Sequence, residues 1–327
     1  MSTPFSFFSR RVLLAAAAVM CLPATVLAAG DPGTWPKAKP ITWIVGYVPG
    51  GSVDVITRSV AKVVSDRIGQ TIVIDNRAGA SGAIALQYAA RAANDGYWLI
   101  TVPGPIIHAE RQPALGHELS AVSLISQGPI VLVGAAANAH SNLQDLIGAM
   151  KKNPQDWSYA SSGTGTGQHL AGELFNTMAG TKMIHVPYKG GGQAVTDVVG
   201  GQVSLGMLGV TPVLAQINAG KLKAYAVTTP FRLASLPDVP TMSEAGLKGY
   251  EATQFFIAAV PARTDAAIIM KLNKAIAEAM KTPEVKAALE AAGQVPSNLT
   301  PAEADAFAKS SITKFDAVAK QANISLK

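Results

Sequence analysis

The chain has 327 residues and carries 27 lysines and arginines against 21 aspartates and glutamates, a formal net charge of +6. The basic residues are scattered rather than clustered with aromatic residues, so the composition argues against a nucleic-acid partner and is compatible with a small anionic one. A chain of this length exceeds what one hydrophobic core usually serves, which predicts two domains.

The first 28 residues have the anatomy of an export signal. Arg10 and Arg11 precede an apolar stretch, 12–22, that is shorter than a membrane span, and residues 26–28 form a small-residue cleavage site. Ordinary Sec export and twin-arginine export both fit this pattern. The only cysteine, Cys21, would leave with the signal. The mature protein is therefore expected outside the cytoplasm, without a disulfide or a reactive thiol.

Strand and helix patterns alternate along most of the chain. Predicted strands occupy 41–48, 71–75, 99–102, 130–135 and 157–160, and predicted helices occupy 55–68, 83–93, 143–151, 168–178 and 194–199. Helix-start patterns at Thr264, Thr282 and Thr300 predict a helical C-terminal block. Such alternation favours an α/β fold with mostly parallel sheets flanked by helices. Ligands of these sheets bind at the carboxyl ends of the strands.

The first glycine corner, residues 47–54, joins a predicted strand to a predicted helix. Gly50 and Gly51 let the backbone approach a ligand closely, and Ser52 or Asp54 can cap the helix. The first amides of a helix lack partners within it and carry partial positive charge, so the corner can bind an anion without a lysine. The alternative is an ordinary strand-to-helix turn.

The second glycine corner, residues 161–167, places Ser161, Ser162, Gly163 and Thr164 ahead of another helix. It lacks the lysine of a phosphate loop and the glycine spacing of a dinucleotide site, so it predicts carboxylate binding rather than nucleotide binding. His169, just inside the helix, is interpreted as an orienting or capping residue, because no cysteine and no obvious acid accompany it.

The third glycine corner, residues 188–192, follows a short strand at 184–187. Tyr188 offers an aromatic wall and a hydroxyl group, while Gly190 and Gly191 offer exposed amides. A flexible solvent loop is the alternative interpretation. The three corners together predict one anion site.

The chain resembles a known family, the tripartite tricarboxylate transporter substrate-binding receptors, also called Bug proteins. The resemblance runs in the family's order over nearly the whole mature chain. It is carried by Pro49-Gly50-Gly51-x-x-Asp54, Asn76-Arg77-x-Gly79-Ala80-x-Gly82, Asp95-Gly96-Tyr97, Tyr159-Ala160-Ser161-Ser162-Gly163-x-Gly165, His185-Val186-Pro187-Tyr188-Lys189-Gly190, Gly200-Gly201-Gln202-Val203 and Pro237-Asp238-Val239-Pro240.

The resemblance implies a monomeric periplasmic receptor that closes two lobes on a small organic carboxylate and delivers it to membrane transporter subunits. The expected lobes are 29–130 plus 253–327, and 131–252, joined by two crossings. No cofactor, metal or catalytic residue is expected. Backbone amides and ordered waters of the three corners would hold the carboxylate.

The chain departs from the family pattern at 103–107, at 115–120 and at 253–256, and the first and last of these bear on the ligand. Residues 103–107 lack the usual hydroxyl groups, and Phe255 and Phe256 lie where the family commonly has a tryptophan-bearing segment. The two phenylalanines can pack against a ligand, and packing in the hydrophobic core is the alternative. These changes favour a carboxylate with an apolar body, aliphatic or aromatic, over citrate. The predicted ligand-binding residues are Tyr47, Gly50, Gly51, Ser52, Asp54, Ser161, Ser162, Gly163, Thr164, His169, Tyr188, Gly190, Gly191 and Phe255.

Three other functions are weighed against the receptor. A serine hydrolase using Ser162 with His169 or His185 would need a Gly-x-Ser-x-Gly elbow, which is absent. A metalloprotein would need clustered histidines at helical spacing, which is also absent. A receptor that signals to a sensor partner instead of a transporter stays open, because no residue pattern distinguishes the two.

Overall fold

The structure is a computed structural model that describes residues 33–105, 115–137 and 140–321. The predicted export signal, residues 1–28, lies outside the described residues. None of the helices in the described part of the chain combines the length and hydrophobicity that a membrane span requires.

The first part of the fold alternates strands and helices as predicted. It consists of β1 (Ile41–Val45), α1 (Ser52–Ile68), β2 (Ile72–Asn76), α2 (Ala83–Arg91) and β3 (Trp98–Gly104). Strand β1 pairs in parallel with both β2 and β3, so the carboxyl ends of the three strands lie at one edge of the sheet. The predicted strand–helix–strand units are thus confirmed here, and the first glycine corner lies at that edge.

Two long antiparallel strands, β4 (Leu119–Ala135) and β9 (Thr253–Pro261), connect the two sheets. The first half of β4 pairs with β9, which itself pairs with β3. Its second half pairs with β7 (Leu205–Gly209) and β8 (Leu222–Val227). One strand thus belongs to both sheets, and the chain returns to the first sheet through β9. Irregularities of register at 121–126 mark where β4 bends.

The second sheet is built around β5 (Ser158–Ser161), which pairs in parallel with β6 (Ile184–Pro187) and β7. The full strand order is β2-β1-β3-β9-β4-β7-β5-β6. Four helices flank this half: α3 (Leu143–Lys152), α4 (Gly167–Ala179), α5 (Gly191–Val199) and α6 (Val210–Asn218). Both remaining glycine corners follow carboxyl ends of parallel strands, β5 and β6.

The C-terminal block is helical, as the cap patterns predict. It contains α7 (Ala266–Ala279), α8 (Pro283–Ala291), the short strand β10 (Val295–Pro296) and α9 (Pro301–Gln321). Thr282 caps α8, and Thr300 forms a reciprocal capping box with Glu303. The predicted cap of α7 is wrong by one residue, because the Asp265 carboxylate accepts from the Ala267 amide. The Thr264 hydroxyl group instead donates to the Pro261 carbonyl oxygen.

The hydrophobic core is divided between the lobes. In the first lobe, α1 buries Ile56, Val60 and Val64 against β1 and α7. In the second lobe, separate apolar clusters surround Leu132 and Val133 of β4 on the two faces of the sheet. Helix α9 contacts both halves: Ala304 and Ala308 pack near β9, whereas Phe315 and Ala319 pack on the second lobe. The molecule is therefore a two-lobe α/β protein, and the residue boundaries given above stay a prediction.

Candidate functional site

A cavity between the two lobes, here called the central cavity, lies where the three glycine corners meet. Its walls include six of the predicted ligand-binding residues: Tyr47, Gly51, Ser52, Ser162, Gly190 and Gly191. The cavity is narrow, with a volume of about 30 Å³. The two walls therefore stand close together, as in a closed cleft.

The first corner presents unpaired backbone amides. Helix α1 begins after Gly51, which acts as N-cap without a side-chain cap, so neither Ser52 nor Asp54 caps the helix in the predicted sense. The amides of Gly51, Ser52 and Val53 have no hydrogen-bond partner among the described residues. They are available to a ligand acceptor at the positive end of the α1 dipole.

Asp54 lies behind the first corner and holds its shape. Its side chain is 4% exposed and accepts hydrogen bonds from the Gly50 amide (3.0 Å), Arg58 Nε (2.9 Å) and Asn76 Nδ2 (2.9 Å). Burial alone would raise the pKa of Asp54, but these donors and the charge of Arg58 outweigh it and hold the pKa below its usual value. Asp54 is a buried carboxylate that fixes the turn, and it does not line the cavity.

Tyr47 forms the aromatic wall of the cavity. Its hydroxyl group donates to the Ser81 carbonyl oxygen at 3.0 Å, and burial raises its pKa. The ring thus has a fixed position, and its hydroxyl group stays protonated. Gly50, at φ +85°, shapes the turn that follows β1 and lies outside the cavity wall.

In the second corner, Ser162 faces the cavity and Ser161 faces away from it. The Ser161 hydroxyl group lies 2.6 Å from His185 Nε2 and accepts from the Gly163 amide. Thr166 caps α4, and the amides of Gly167 and Gln168 have no partner among the described residues. The second helix start therefore adds donors to the cavity, while Ser161 and Gly163 form its support. Thr164 does not line the cavity.

His169 stabilises the second corner from inside. Its Nδ1 accepts the Gly165 amide at 3.0 Å, and its ring stacks on His185 with centroids 3.8 Å apart. Burial lowers the pKa of His169 to about 4; burial and the neighbouring His169 lower the pKa of His185 to about 3. Both rings are neutral near pH 7. His169 orients the loop and does not line the cavity.

The third corner contributes glycine amides, whereas Tyr188 points elsewhere. The Tyr188 hydroxyl group donates to Asp197 Oδ2 at 2.6 Å. Burial, that hydrogen bond and the charge of Asp197 raise the pKa of Tyr188 to about 12. The amides of Gly190 and Gly191, at the start of α5, have no partner among the described residues. Three helix starts from two lobes thus meet at one cavity.

Phe255 packs in the core of the first lobe and not on the ligand side. Its ring meets Phe307 edge-on with centroids 5.0 Å apart and closes on Gly104, where an added Cβ would lie 2.0 Å from the ring. The neighbouring residue Gln254 faces the cavity instead, with Gln168. The sequence pattern predicted ligand contact for neither of these two glutamines. The signal that could have found them is a polar residue within the apolar run of β9.

Glycines let the two cavity walls touch. A Cβ at Gly209 would lie 2.5 Å from Ser52 Oγ, and one at Gly190 would lie 2.7 Å from Val48 Cγ2. These pairs join the second lobe to the first, so the structure is a closed arrangement whose contacts leave no room for a methyl group.

The part of the cavity wall that the structure describes is uncharged. The described residues that form it include no lysine, arginine, histidine, aspartate or glutamate. Val53, Pro103 and Pro212 supply an apolar side, while amides, Ser52, Ser162, Gln168 and Gln254 supply polar groups. Elsewhere in the described residues no three potential metal ligands of the His, Cys, Asp or Glu type gather at one point.

Comparison with known proteins agrees with this geometry. Residues 56–324 match the family model described as tripartite tricarboxylate transporter family receptor. The chain belongs to this family. Its similarity to the Bordetella pertussis protein BugT extends over 322 residues at 34% identity, covering 96% of this chain and 98% of BugT. As a receptor of this family, the protein binds a solute and is not an enzyme.

Solved structures show the same fold. The R. palustris protein Rpa4515 with adipate has a TM-score of 0.84 and 30% sequence identity, and the alignment covers 89% of this chain and 99% of that one. MatC from Rhodopseudomonas palustris with bound malate has a TM-score of 0.80 and 25% identity, with 86% and 99% covered. The two-lobe arrangement is that of periplasmic solute-binding proteins.

Proposed function

We propose that the protein captures a small organic carboxylate in the central cavity and delivers it to the membrane subunits of a tripartite tricarboxylate-type transporter. The observation that carries this proposal is the convergence of unpaired amides from α1, α4 and α5 on a cavity whose described wall residues carry no charge. The adipate and malate bound to two structural relatives support the same ligand class.

The charge of the ligand follows from the donors. Amides at Gly51, Ser52, Gly167 and Gly191 belong to helix starts, where backbone dipoles supply partial positive charge. A carboxylate gains several charge-assisted hydrogen bonds from these amides. An ammonium group would be repelled by the same amides, because both carry positive charge. Among the described residues, no ionised side chain lines the cavity to repel or neutralise the ligand.

The shape of the ligand follows from the walls. The side chains of Val53, Pro103 and Pro212 line the cavity without offering hydrogen-bond donors, and the Tyr47 ring adds a flat surface. A carboxylate with a slim apolar body buries that body against these residues, at about 25 cal/mol per Å² of apolar surface. We therefore favour such a ligand over a polyhydroxylated tricarboxylate.

The remaining parts of the proposal concern location and partners. The signal-like segment at 1–28 and the match to the receptor family support export to the periplasm, where we propose that the protein acts as a monomer beside its transporter. We propose the lobe boundaries 29–130 plus 253–327, and 131–252, because β4 and β9 are the strands that connect the two sheets.

A pair of substitutions tests whether a backbone amide binds the ligand. Ser52 is the first residue of α1, a position that tolerates proline. Ser52→Pro removes both the amide proton and the hydroxyl group, whereas Ser52→Ala removes only the hydroxyl group. We expect wild type and Ser52→Ala to bind a carboxylate from a calorimetric panel, and Ser52→Pro to bind it at least about 10-fold more weakly. Equal affinity of the two variants, or tighter binding of cationic than of anionic probes, would contradict the proposal.

A further inference from the structure

Gln254 lies on the connecting strand β9, opposite Gly128 of β4, where the chain passes between the two lobes. Its side chain is buried, at 5% exposure, and lines the central cavity. A buried carboxamide without complete hydrogen bonding is costly, so its partners need to be accounted for. None of the family motifs named above includes this residue.

A chain of hydrogen bonds fixes the orientation of the Gln254 carboxamide. The Ser162 amide donates to Gln168 Oε1 at 2.9 Å, and Gln168 Nε2 donates to Gln254 Oε1 at 3.3 Å. A backbone N–H can only donate, so the Gln168 oxygen must face Ser162, its nitrogen must face Gln254, and the Gln254 oxygen must face Gln168. The Gln254 nitrogen is therefore the group left over.

That nitrogen has no hydrogen-bond partner among the described residues. It carries two protons and no lone pair that can accept, so it offers the cavity donors only. Gln168 Nε2 and the Ser52 hydroxyl group both lie next to Gly209. A Cβ added at Gly209 would be 3.7 Å from Gln168 Nε2 and 2.5 Å from Ser52 Oγ. The side-chain donors thus lie beside the start of α1.

We propose that Gln254 is a specificity-determining residue that donates its carboxamide N–H to a second acceptor group of the ligand, a second carboxylate or a carbonyl. This inference rests on the proposed carboxylate function and adds to it. The helix-start amides bind one carboxylate, and the Gln254 N–H donates a hydrogen bond to the other polar group of the ligand. Gln168 acts through Gln254 as a positioning residue, because the Ser162 amide sets its orientation.

Three linear probes of equal chain length test the proposal, compared at four to eight carbons. A dicarboxylate such as adipate presents an acceptor at the second end, hexanoate presents none, and 6-aminohexanoate presents a donor. For wild type we expect dissociation constants that rise in this order, with about 10- to 100-fold between dicarboxylate and monocarboxylate. Calorimetric titration of the full mature chain measures all three.

Two variants separate recognition from support. Gln254→Glu keeps an oxygen for Gln168 and replaces the donor by an acceptor, so dicarboxylate binding should fall by about 10- to 100-fold while 6-aminohexanoate binding improves. Gln254→Met removes the donor without adding charge, so dicarboxylate and monocarboxylate should bind with similar affinity. Gln87→Glu, the same change at an exposed position of α2, is the matched control and should bind as wild type does.

The outcomes distinguish this inference from the proposed function. If the wild type binds monocarboxylates as tightly as dicarboxylates at every length, the role proposed for Gln254 is overturned and the proposed function stands. Equal weakening of all three probes in both Gln254 variants has the same consequence, because that is the signature of a residue that only supports the fold. A wild type that binds no carboxylate overturns the proposed function as well.

Discussion

The corner that carries the α1 amides should depend on Asp54, although this carboxylate does not touch the cavity. Its two oxygens accept three hydrogen bonds, from the Gly50 amide, Arg58 Nε and Asn76 Nδ2. Asparagine at this position has only one acceptor oxygen. In its best orientation Asp54→Asn keeps the Arg58 and Asn76 donors as neutral hydrogen bonds and places an NH₂ group against the Gly50 amide.

The magnitude follows from those contacts. Losing one hydrogen bond to a buried charged group costs about 1.5–3 kcal/mol. The Arg58 partner is 49% exposed, so weakening its ion pair adds at most about 1 kcal/mol. We expect Asp54→Asn to lower the free energy of unfolding by about 2–3 kcal/mol and the melting temperature by about 4–12 °C. Displacement of the Gly50–Gly51 turn should also weaken carboxylate binding.

Thermal and urea unfolding measure the effect, with Asp66→Asn as the matched control. Asp66 lies on the same helix but is exposed, so its substitution should change the melting temperature by no more than about 1 °C. A melting temperature of Asp54→Asn within 1 °C of wild type, at unchanged dependence on urea, would refute the account of Asp54 as the support of this corner.

The same carboxylate predicts a pH dependence. The folded pKa of Asp54 is lowered, so the folded state binds fewer protons than the unfolded state as pH falls below the ordinary value of 3.8. The stability that Asp54 provides is complete above that value and is lost as pH falls through the lowered pKa. The difference between wild type and Asp54→Asn should therefore be constant from pH 7 to pH 5 and shrink below about pH 4. A difference that grows on acidification would contradict this sign.

Two further predictions concern the closed cleft and the stacked histidines. Gly209 has φ −65° and ψ 155°, which suit alanine, so Gly209→Ala should leave unliganded stability within about 1 kcal/mol of wild type. Its Cβ would press on Ser52 across the lobes, so ligand affinity should fall about 3- to 30-fold, whereas Gly192→Ala, with open space around it, should bind normally in calorimetry. For His169 and His185, folded pKa values of about 4 and 3 lie below the ordinary 6.5. Stability should be complete above pH 6.5 and fall by about 1–2 kcal/mol per histidine by pH 5, with a smaller fall in His185→Gln; a melting temperature that is flat over this range would contradict the buried neutral pair.

The helix starts and the parallel strands could be predicted because their signals are local. Capping patterns at Thr282 and Thr300 act within one turn, and the apolar face of α1 has a clear helical period. The segment 205–227 received no prediction, although it contains β7, α6 and β8. Its strands are short, β7 is buried along its whole length, and α6 contains Pro212 near its start. Such elements depend on the sheet that surrounds them more than on their own pattern.

The site shows a different limit, which concerns the direction of side chains. Tyr188 and His169 lie in the right corners but are bonded to Asp197 and to the Gly165 amide. Hydrogen bonds across a folded loop determine those directions, and spacing along the chain does not reveal them. Backbone amides can be located from the glycine corners alone, because a helix start exposes its amides whatever its side chains do.

The alternation of side chains along a strand explains why Gln254 faces the cavity and Phe255 faces the core. Neighbouring residues of a strand face opposite sides of the sheet, so only one of the two can face the cavity. The hydrophobic character of Phe255 suggested ligand contact, yet the ring packs against Phe307 on the core side. Once the ring is placed in the core, Gln254 must face the lobe interface. The residue of β9 that faces the cavity is therefore the polar Gln254 and not the apolar Phe255.

A cleft whose described walls carry no charged side chain also suits a receptor that must release its ligand. Amides of α1 belong to the first lobe, and those of α4 and α5 belong to the second, so a carboxylate obtains the complete donor set only while the lobes are closed. Opening returns each half-site to water, which satisfies its amides and hydrates the ligand. The affinity for the ligand then depends on the population of the closed state. A partner that stabilises the open state lowers that population, and it weakens ligand binding by up to the free energy of this stabilisation. A buried lysine would bind the carboxylate in either state and would weaken this coupling between lobe movement and release.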